Sequence, residues 1–535
     1  MIMIAFTKKL KTEGRKTKKG SALVLVLVAV IVSAITLTSL LTYISAQISF
    51  SKDRVERERA FQIAEAGVYY YRWYLAHQIA GKTVAQIQTF WDTGNPLGVA
   101  MPAEIEYMDP ESGAIGKYRL EVTKPAIGST ILTVKVTGWT YLKPLVHRVV
   151  QVRFRRPSWS ENSVLANADM RFGDGTVVTG KIHSNKGIRF DGESNNIISS
   201  SVASYDDPDH TGAVEFGVHT HANNPSGSGV NDNFRPLEAP PNPVLNRSDV
   251  FSGREFPVPI LDFNSIVSDI SFMRSQATVK YDNTGGGRRI ILKADGTFDT
   301  CKVSTYSAVT DADYQLTNAG TNGITNYAGI VAGGSAANNG ANCTVNACCA
   351  LASCAWINNG NHNKGKCVTL TNTVIPNNGI IFVANNAWVE GTINAKKVSI
   401  VAAELSDEPG YTGGKKNIFL GMNNLLYTNI NGNDIIGLIA QDNVTVIRDS
   451  QTNLTIYGAL LAKDGRVGRC YYDGISKNTI TINGSLATNI RYGFAYTDNT
   501  GYTNRNLNFD NNLLYYPPPY FPTGTEYAID LWDEL

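Results

Sequence analysis

The chain has 535 residues, more than one ordinary domain holds, and 43% of them are hydrophobic, which supplies a packed core and excludes a disordered chain. The net charge is +2. The first 20 residues set Lys8, Lys9, Lys11, Arg15, Lys16, Lys18 and Lys19 against Glu13 alone, a balance of +6 that leaves −4 for the rest and argues against a basic nucleic-acid-binding body.

After Gly20 the chain runs from Ser21 to Ser51 without a charge. As a helix this stretch extends about 46 Å, more than the roughly 30 Å of a bilayer's hydrocarbon core. Basic residues before a span stay cytoplasmic, so the remainder of the chain is expected outside the inner membrane. A cleaved secretory signal is the alternative, but its apolar region is only about 7–15 residues long. Here the apolar run passes directly into a second helical pattern, with Ile48, Val55, Ala60, Ala64, Val68, Tyr71 and Leu75 recurring at helical spacings. Charges of both signs between Lys52 and Arg59 suit a solvated surface. The expectation is one continuous helix, apolar all round in its first half and amphipathic in its second.

A basic leader ending in Gly20, the uncharged helix, and the string RAFQIAEAGVYYYRW (59–73) resemble type IV prepilins. The likeness is nearest to PilX-type minor pilins and the K-type minor pseudopilins of type II secretion, and it covers residues 8 to 155. It implies cleavage by prepilin peptidase between Gly20 and Ser21, N-methylation of Ser21, and packing against other pilins through the helix. Two positions depart from the major-pilin pattern: Ser21 replaces a bulky apolar residue, and Leu25 stands where Glu is usual. In an assembling filament that Glu pairs with a neighbour's terminal ammonium in apolar surroundings, where an unpaired charge is costly. Its loss fits a low-copy subunit near the tip better than the bulk filament protein.

Three strands with period-two alternation come next, at 117–123, 129–139 and 145–154, and the turn residues between them favour an antiparallel meander. Beyond Ser158 an apolar-x-Gly-x-apolar unit recurs at Val178–Ile182, Val389–Ile393, Ile456–Leu460 and Ile482–Leu486. Short strands punctuated by Gly and Asn suggest a discontinuous parallel β-helix, with an antiparallel sandwich as the alternative. Residues 256–277 read as a Pro-bounded linker and a short helix capped by Asp262 or Asn264, and 288–303 as a hairpin turning at Asp295-Gly296.

The fold expected is therefore α+β in an N-terminal pilin-like region, a long helix plus an antiparallel sheet, followed by a large all-β domain. Its parts are a leader (1–20), a transmembrane and filament helix (21–82), a pilin-like sheet (83–157), a first β-helix part (158–245), an inserted segment (246–377), a second β-helix part (378–505) and an extended tail lying along the body as a cap (506–535).

Six of seven cysteines, Cys301, Cys343, Cys348, Cys349, Cys354 and Cys367, fall in the inserted segment, with Cys470 apart. Outside the inner membrane they are expected to form disulfides whose connectivity the sequence leaves open. A zinc site made of Cys343, Cys348, Cys349, Cys354, His362 and Cys367 lacks a paired CxxC spacing. Asp206, Asp207, Asp209 and His210 form an acidic loop short of a calcium cage, and a surface strand accounts for His219 and His221. Scattered acids (Asp169, Asp174, Glu390, Glu404, Asp442) match no glycosidase motif. No metal, cofactor or catalytic residue is assigned.

The reading is a non-enzymatic minor pilin, held in the inner membrane before assembly and displayed at the cell surface afterwards. Its expected partners are prepilin peptidase, other pilins and a surface or glycan ligand. The alternatives are a single-span envelope anchor and a tethered polysaccharide-active enzyme.

Overall fold

The computed structural model describes residues 21–126, 129–209, 214–222, 247–263, 266–284, 287–303, 307–308, 330–331, 353–355, 358–359, 362–363, 366–447, 450–469, 475–524 and 526–535. The expected helix forms as one element, α1 (Ser21–Ile79). Its apolar first half, from Leu23 to Phe50, stands exposed, with no residue buried among the described ones. Its second half buries Ala60, Ile63, Ala64, Val68, Tyr71, Leu75 and Ile79, a stripe at three- and four-residue spacing that faces a sheet.

That sheet is antiparallel: β1 (Ala103–Asp109), β2 (Gly113–Thr123), β3 (Ile131–Thr140) and β4 (Arg148–Arg155) in sequence order, followed by the C-terminal strand Ala528–Glu534. Strict alternation sends Leu120, Leu132, Val134, Val136, Val150, Val152 and Phe154 inward. Each large aliphatic so buried contributes about 1.5–3 kcal/mol. A second helix, α2 (Val84–Asp92), starts with a capping box in which Thr83 and Gln86 bond reciprocally, and adds Ile87, Phe90 and Trp91 to the same core.

Small residues set how close α1 comes. A Cβ on Gly138 of β3 would lie 2.3 Å from the Ala60 carbonyl oxygen and 2.6 Å from the Ala64 nitrogen, and one on Gly67 would lie 2.7 Å from Val136 Cγ1. The AEAG string thus presents Ala64 and Gly67 to the sheet. Glu56, almost fully buried, accepts from Thr140 Oγ1 at 2.6 Å and from Arg59 at 2.9 Å, fixing the helix lengthwise.

The larger body is β-rich, and its main sheet closes on itself. Its stacked pairings are parallel, so the antiparallel sandwich alternative does not form. In one ladder, residues in register run Ile381, Ile400, Leu438, Leu460, Leu486, Val164, Ile182 and Ile198, each pairing with the next and all buried. A second ladder aligns Ala387, Ile418, Val444 and Val467. A third aligns Leu425, Ile456, Ile482, Leu507 and Val178. Stacking order therefore differs from chain order: Val164 sits on Leu486.

The recurring glycine unit lies at corners. In three of its four copies the first apolar residue (Val178, Ile456, Ile482) belongs to the third ladder and the last (Ile182, Leu460, Leu486) to the first. Gly180 and Gly458 take φ of +109° and +142°, which residues with a Cβ rarely adopt. The copy at Gly391 differs, joining the strand face of Val389 to Ile393, which pairs with Tyr427.

The outer side of the first ladder is also covered. Phe263, Ile270, Met273, Leu513 and Phe521 pack over Leu165, Phe382, Val401, Ile439 and Leu461. Helix Ile266–Gln276 forms at the expected place; of the two cap candidates Asn264 lies outside the described residues, and Asp262 stands four positions before the first helical residue. The hairpin also forms, pairing Gly287–Leu292 with Thr297–Val303. The last segment is more than a cap. Gly501–Phe509 is a strand of the third ladder, the prolines 518 and 519 press on Gly437 and Gly379, and Ala528–Glu534 joins β4. Strand β1 was not foreseen from the sequence.

Candidate functional site

The most extended feature open to a partner is the first half of α1. It is long and apolar enough to cross a membrane, and none of it is covered by the protein's own residues. Ser21 begins the helix; Gly20 and the basic leader lie outside the described residues.

Two of the five acids weighed for catalysis hold buried ion pairs. Glu390 is buried against Arg289, whose Nε donates at 2.6 Å. Glu404, also buried, accepts from Thr412 Oγ1 at 2.7 Å and pairs with Lys416 at 3.2 Å. Asp169 accepts from the Gly187 amide at 3.0 Å, and burial pushes its carboxyl above the usual range. Burial does the same to Asp442. Asp174 accepts from the Gly175 amide at 2.8 Å and alone of the five lines a cleft of about 720 Å³.

Four arginines also line this cleft: Arg171, Arg466, Arg491 and Arg505. Their charged ends serve the protein itself. Arg505 donates to the Tyr502 carbonyl at 2.7 Å, the Thr503 carbonyl at 2.8 Å and Thr176 Oγ1 at 2.9 Å. Arg466 donates to the Arg469 carbonyl at 2.6 Å and the Gly493 carbonyl at 2.9 Å, while Arg491 and Arg171 face Asp209. The guanidiniums of Arg505 and Arg466 staple neighbouring turns through backbone carbonyls.

A separate cluster joins two features that the sequence kept apart. Asp207, from the acidic loop, meets His219 and His221, and one ligand atom from each lies within 4.8 Å of the others. His219 Nε2 and Asp207 Oδ2 stand 3.4 Å apart. Neither His lies on a surface strand: His219 is fully buried and His221 nearly so. Burial pushes the Asp207 carboxyl up, but His219, the Asp209 amide and Arg189 outweigh it and hold it at about 2. Asp206 and His210 do not enter the cluster as described, His210 lying outside the described residues.

Cys301 is buried and disulfide-bonded. Cys354 stands opposite Cys367 in the antiparallel pairing of Ser353–Ala355 with Lys366–Val374. Cys343, Cys348, Cys349 and Cys470 lie outside the described residues.

No family model matches the chain, and no curated protein matches it. Among solved structures, the crystal structure of the competence-associated pilin ComZ from Thermus thermophilus is similar at a TM-score of 0.28 and 13% identity, over 90% of this chain and 98% of that one. That likeness is too slight to establish a common fold.

Proposed function

We propose that the chain is a minor, PilX-type subunit of a type IV filament, held at low copy near the tip, that helps start assembly and carries a large β-body outward. The observation that supports this most is the division of α1: one continuous helix is docked on an antiparallel sheet by its second half and bare by its first. A bare apolar rod about 45 Å long has two stable environments, a bilayer and a bundle of like helices. The leader before Ser21 places the N-terminus in the cytoplasm, with the body across the inner membrane and, after assembly, at the cell surface. Prepilin peptidase would cut after Gly20 and free Ser21 for methylation. Leu25, lacking the carboxylate of the bulk subunit, suits a single terminal position.

In this reading the three parallel ladders are faces of a discontinuous β-helix, supported by the columns of like residues and the glycine corners. The body's role is contact with a surface or glycan, not chemistry, a reading supported by Glu390 and Glu404, which are engaged by arginine, lysine and threonine partners. Disulfides among the six clustered cysteines would stiffen a segment poor in core residues. Coexpression with a prepilin peptidase, followed by intact-mass analysis and shearing of surface fibres, tests the proposal. Loss of residues 1–20 and recovery in sheared fibres is expected. An unprocessed chain absent from fibres would leave a plain membrane anchor.

A further inference from the structure

We propose that Asp207, His219 and His221 form a binding site for one divalent transition-metal ion, Zn²⁺ foremost, at the edge of the β-body. The inference stands apart from the filament role and does not depend on it.

The donor set decides the class of ion. Two imidazole nitrogens and one carboxylate oxygen suit Zn²⁺ and its neighbours, whereas Ca²⁺ takes six to eight oxygens. The geometry agrees. Bonds of about 2.0–2.1 Å in a tetrahedral site put ligand atoms about 3.3–3.4 Å apart, and His219 Nε2 lies 3.4 Å from Asp207 Oδ2. His219 is fully buried, and neither its Nε2 nor Asp207 Oδ2 makes a well-formed hydrogen bond; they face each other as a loose pair, with Arg189 Nη1 3.7 Å from Oδ2. A buried polar atom left so is costly unless something else binds it.

The surroundings hold the donors in place. Tyr205 Oη lies 3.5 Å from His219 Nδ1, so a proton on Nδ1 leaves the Nε2 lone pair facing the cluster. Asp207 Oδ1 accepts the Asp209 amide at 3.0 Å, which turns Oδ2 inward. Asp191 accepts the His221 amide at 2.7 Å and Thr220 Oγ1 at 3.3 Å, and is itself gripped by Arg189 Nε at 2.7 Å. Glu215 Oε1 lies 3.9 Å from His221 Nε2 but outside the three-residue cluster. Arg189 Nη1 approaches Asp207 Oδ2 at 3.7 Å and is the one cation beside the cluster among the described ion pairs.

Such an ion would be structural. The segments that bring the ligands together are two-residue strands, Ser204–Tyr205, Glu215–Phe216 and Val218–His219, with little ladder bonding of their own. A shared metal would tie the acidic loop to the strand that pairs with Ile188–Phe190.

The test uses the full chain in detergent, free of any histidine tag and stripped with chelator. It is titrated with Zn²⁺ by calorimetry and with Co²⁺ by visible absorption. One equivalent bound per chain is expected, with Co²⁺ bands of a nitrogen–oxygen site. Asp207→Asn and His221→Gln preserve shape and should weaken binding by more than about 100-fold, beyond what loss of an outer partner costs. Circular dichroism of both variants confirms folding, so the test does not depend on the buried His219. No stoichiometric uptake by the parent chain, or wild-type affinity in both folded variants, would overturn the site. Displacement of Zn²⁺ by an equal concentration of Ca²⁺ would overturn the nitrogen-donor assignment.

Discussion

Replacing Gly138 by Val sets local propensity against tertiary packing. Valine favours strands and glycine weakens them, so propensity alone predicts that β3 gains up to about 1 kcal/mol. The helix above β3 predicts the reverse. The added Cβ would meet the Ala60 carbonyl oxygen at 2.3 Å and the Ala64 nitrogen at 2.6 Å, and both are backbone atoms that no rotamer change can move. Helix α1 must then lift by about 1 Å, loosening the packing of Ile63, Val68 and Tyr71 on the sheet. Overpacking of this kind costs about 1–3 kcal/mol, which raises the opening equilibrium of the docked helix by about 5- to 150-fold. Amide hydrogen exchange over residues 60–75 of the detergent-solubilised full chain reads that equilibrium directly. Exchange as slow as in the parent, or slower, would refute the claim that close approach fixes this glycine.

Glu390→Ala removes the carboxylate from a fully buried ion pair with Arg289, and a loss of about 3–5 kcal/mol in stability is expected by urea unfolding. The double change Arg289→Met with Glu390→Leu should recover most of it. Val28→Arg puts a charge in the middle of the exposed apolar stretch, costing about 2.5–3.5 kcal/mol on insertion, and should release the chain from the membrane fraction on alkaline extraction. Burial holds His183 below its usual value of 6.5, so the unfolded chain takes the proton first. The stability from its neutral form is complete above that value and is lost as pH falls below it. His183→Gln should therefore show a smaller drop in unfolding midpoint between pH 7 and pH 5 than the parent; an equal drop would assign the dependence elsewhere.

Elements governed by local spacing were legible in the sequence. Helix α1 announced itself through an uncharged run followed by a 3.6-residue stripe, and three strands of the small sheet through alternation, because both periodicities arise from backbone geometry and need no partner to be seen. The hairpin at Asp295-Gly296 and the glycine units were equally local. Strand β1 carries the same alternation in weaker form: Ala103, Ile105 and Tyr107 are only half covered against exposed Glu104 and Glu106, and the apolar Met108 falls on the exposed side. The AEAG string could be recognised as a likeness, but its reason, room for Gly138 and the backbone of α1 to touch, exists only in the assembled domain.

The sequence by itself determined an apolar rod, an amphipathic continuation and a body of short strands, since charge, hydropathy and period belong to neighbouring residues. Only the tertiary structure decided which strands stack, that Val164 sits on Leu486, and that the last residues join β4. The meeting of Asp207 with His219 and His221 spans few residues, but the two-residue strands that arrange it carry no periodic signal. Pairings between distant residues are chosen by the packing of the whole chain, and no window of sequence contains both partners.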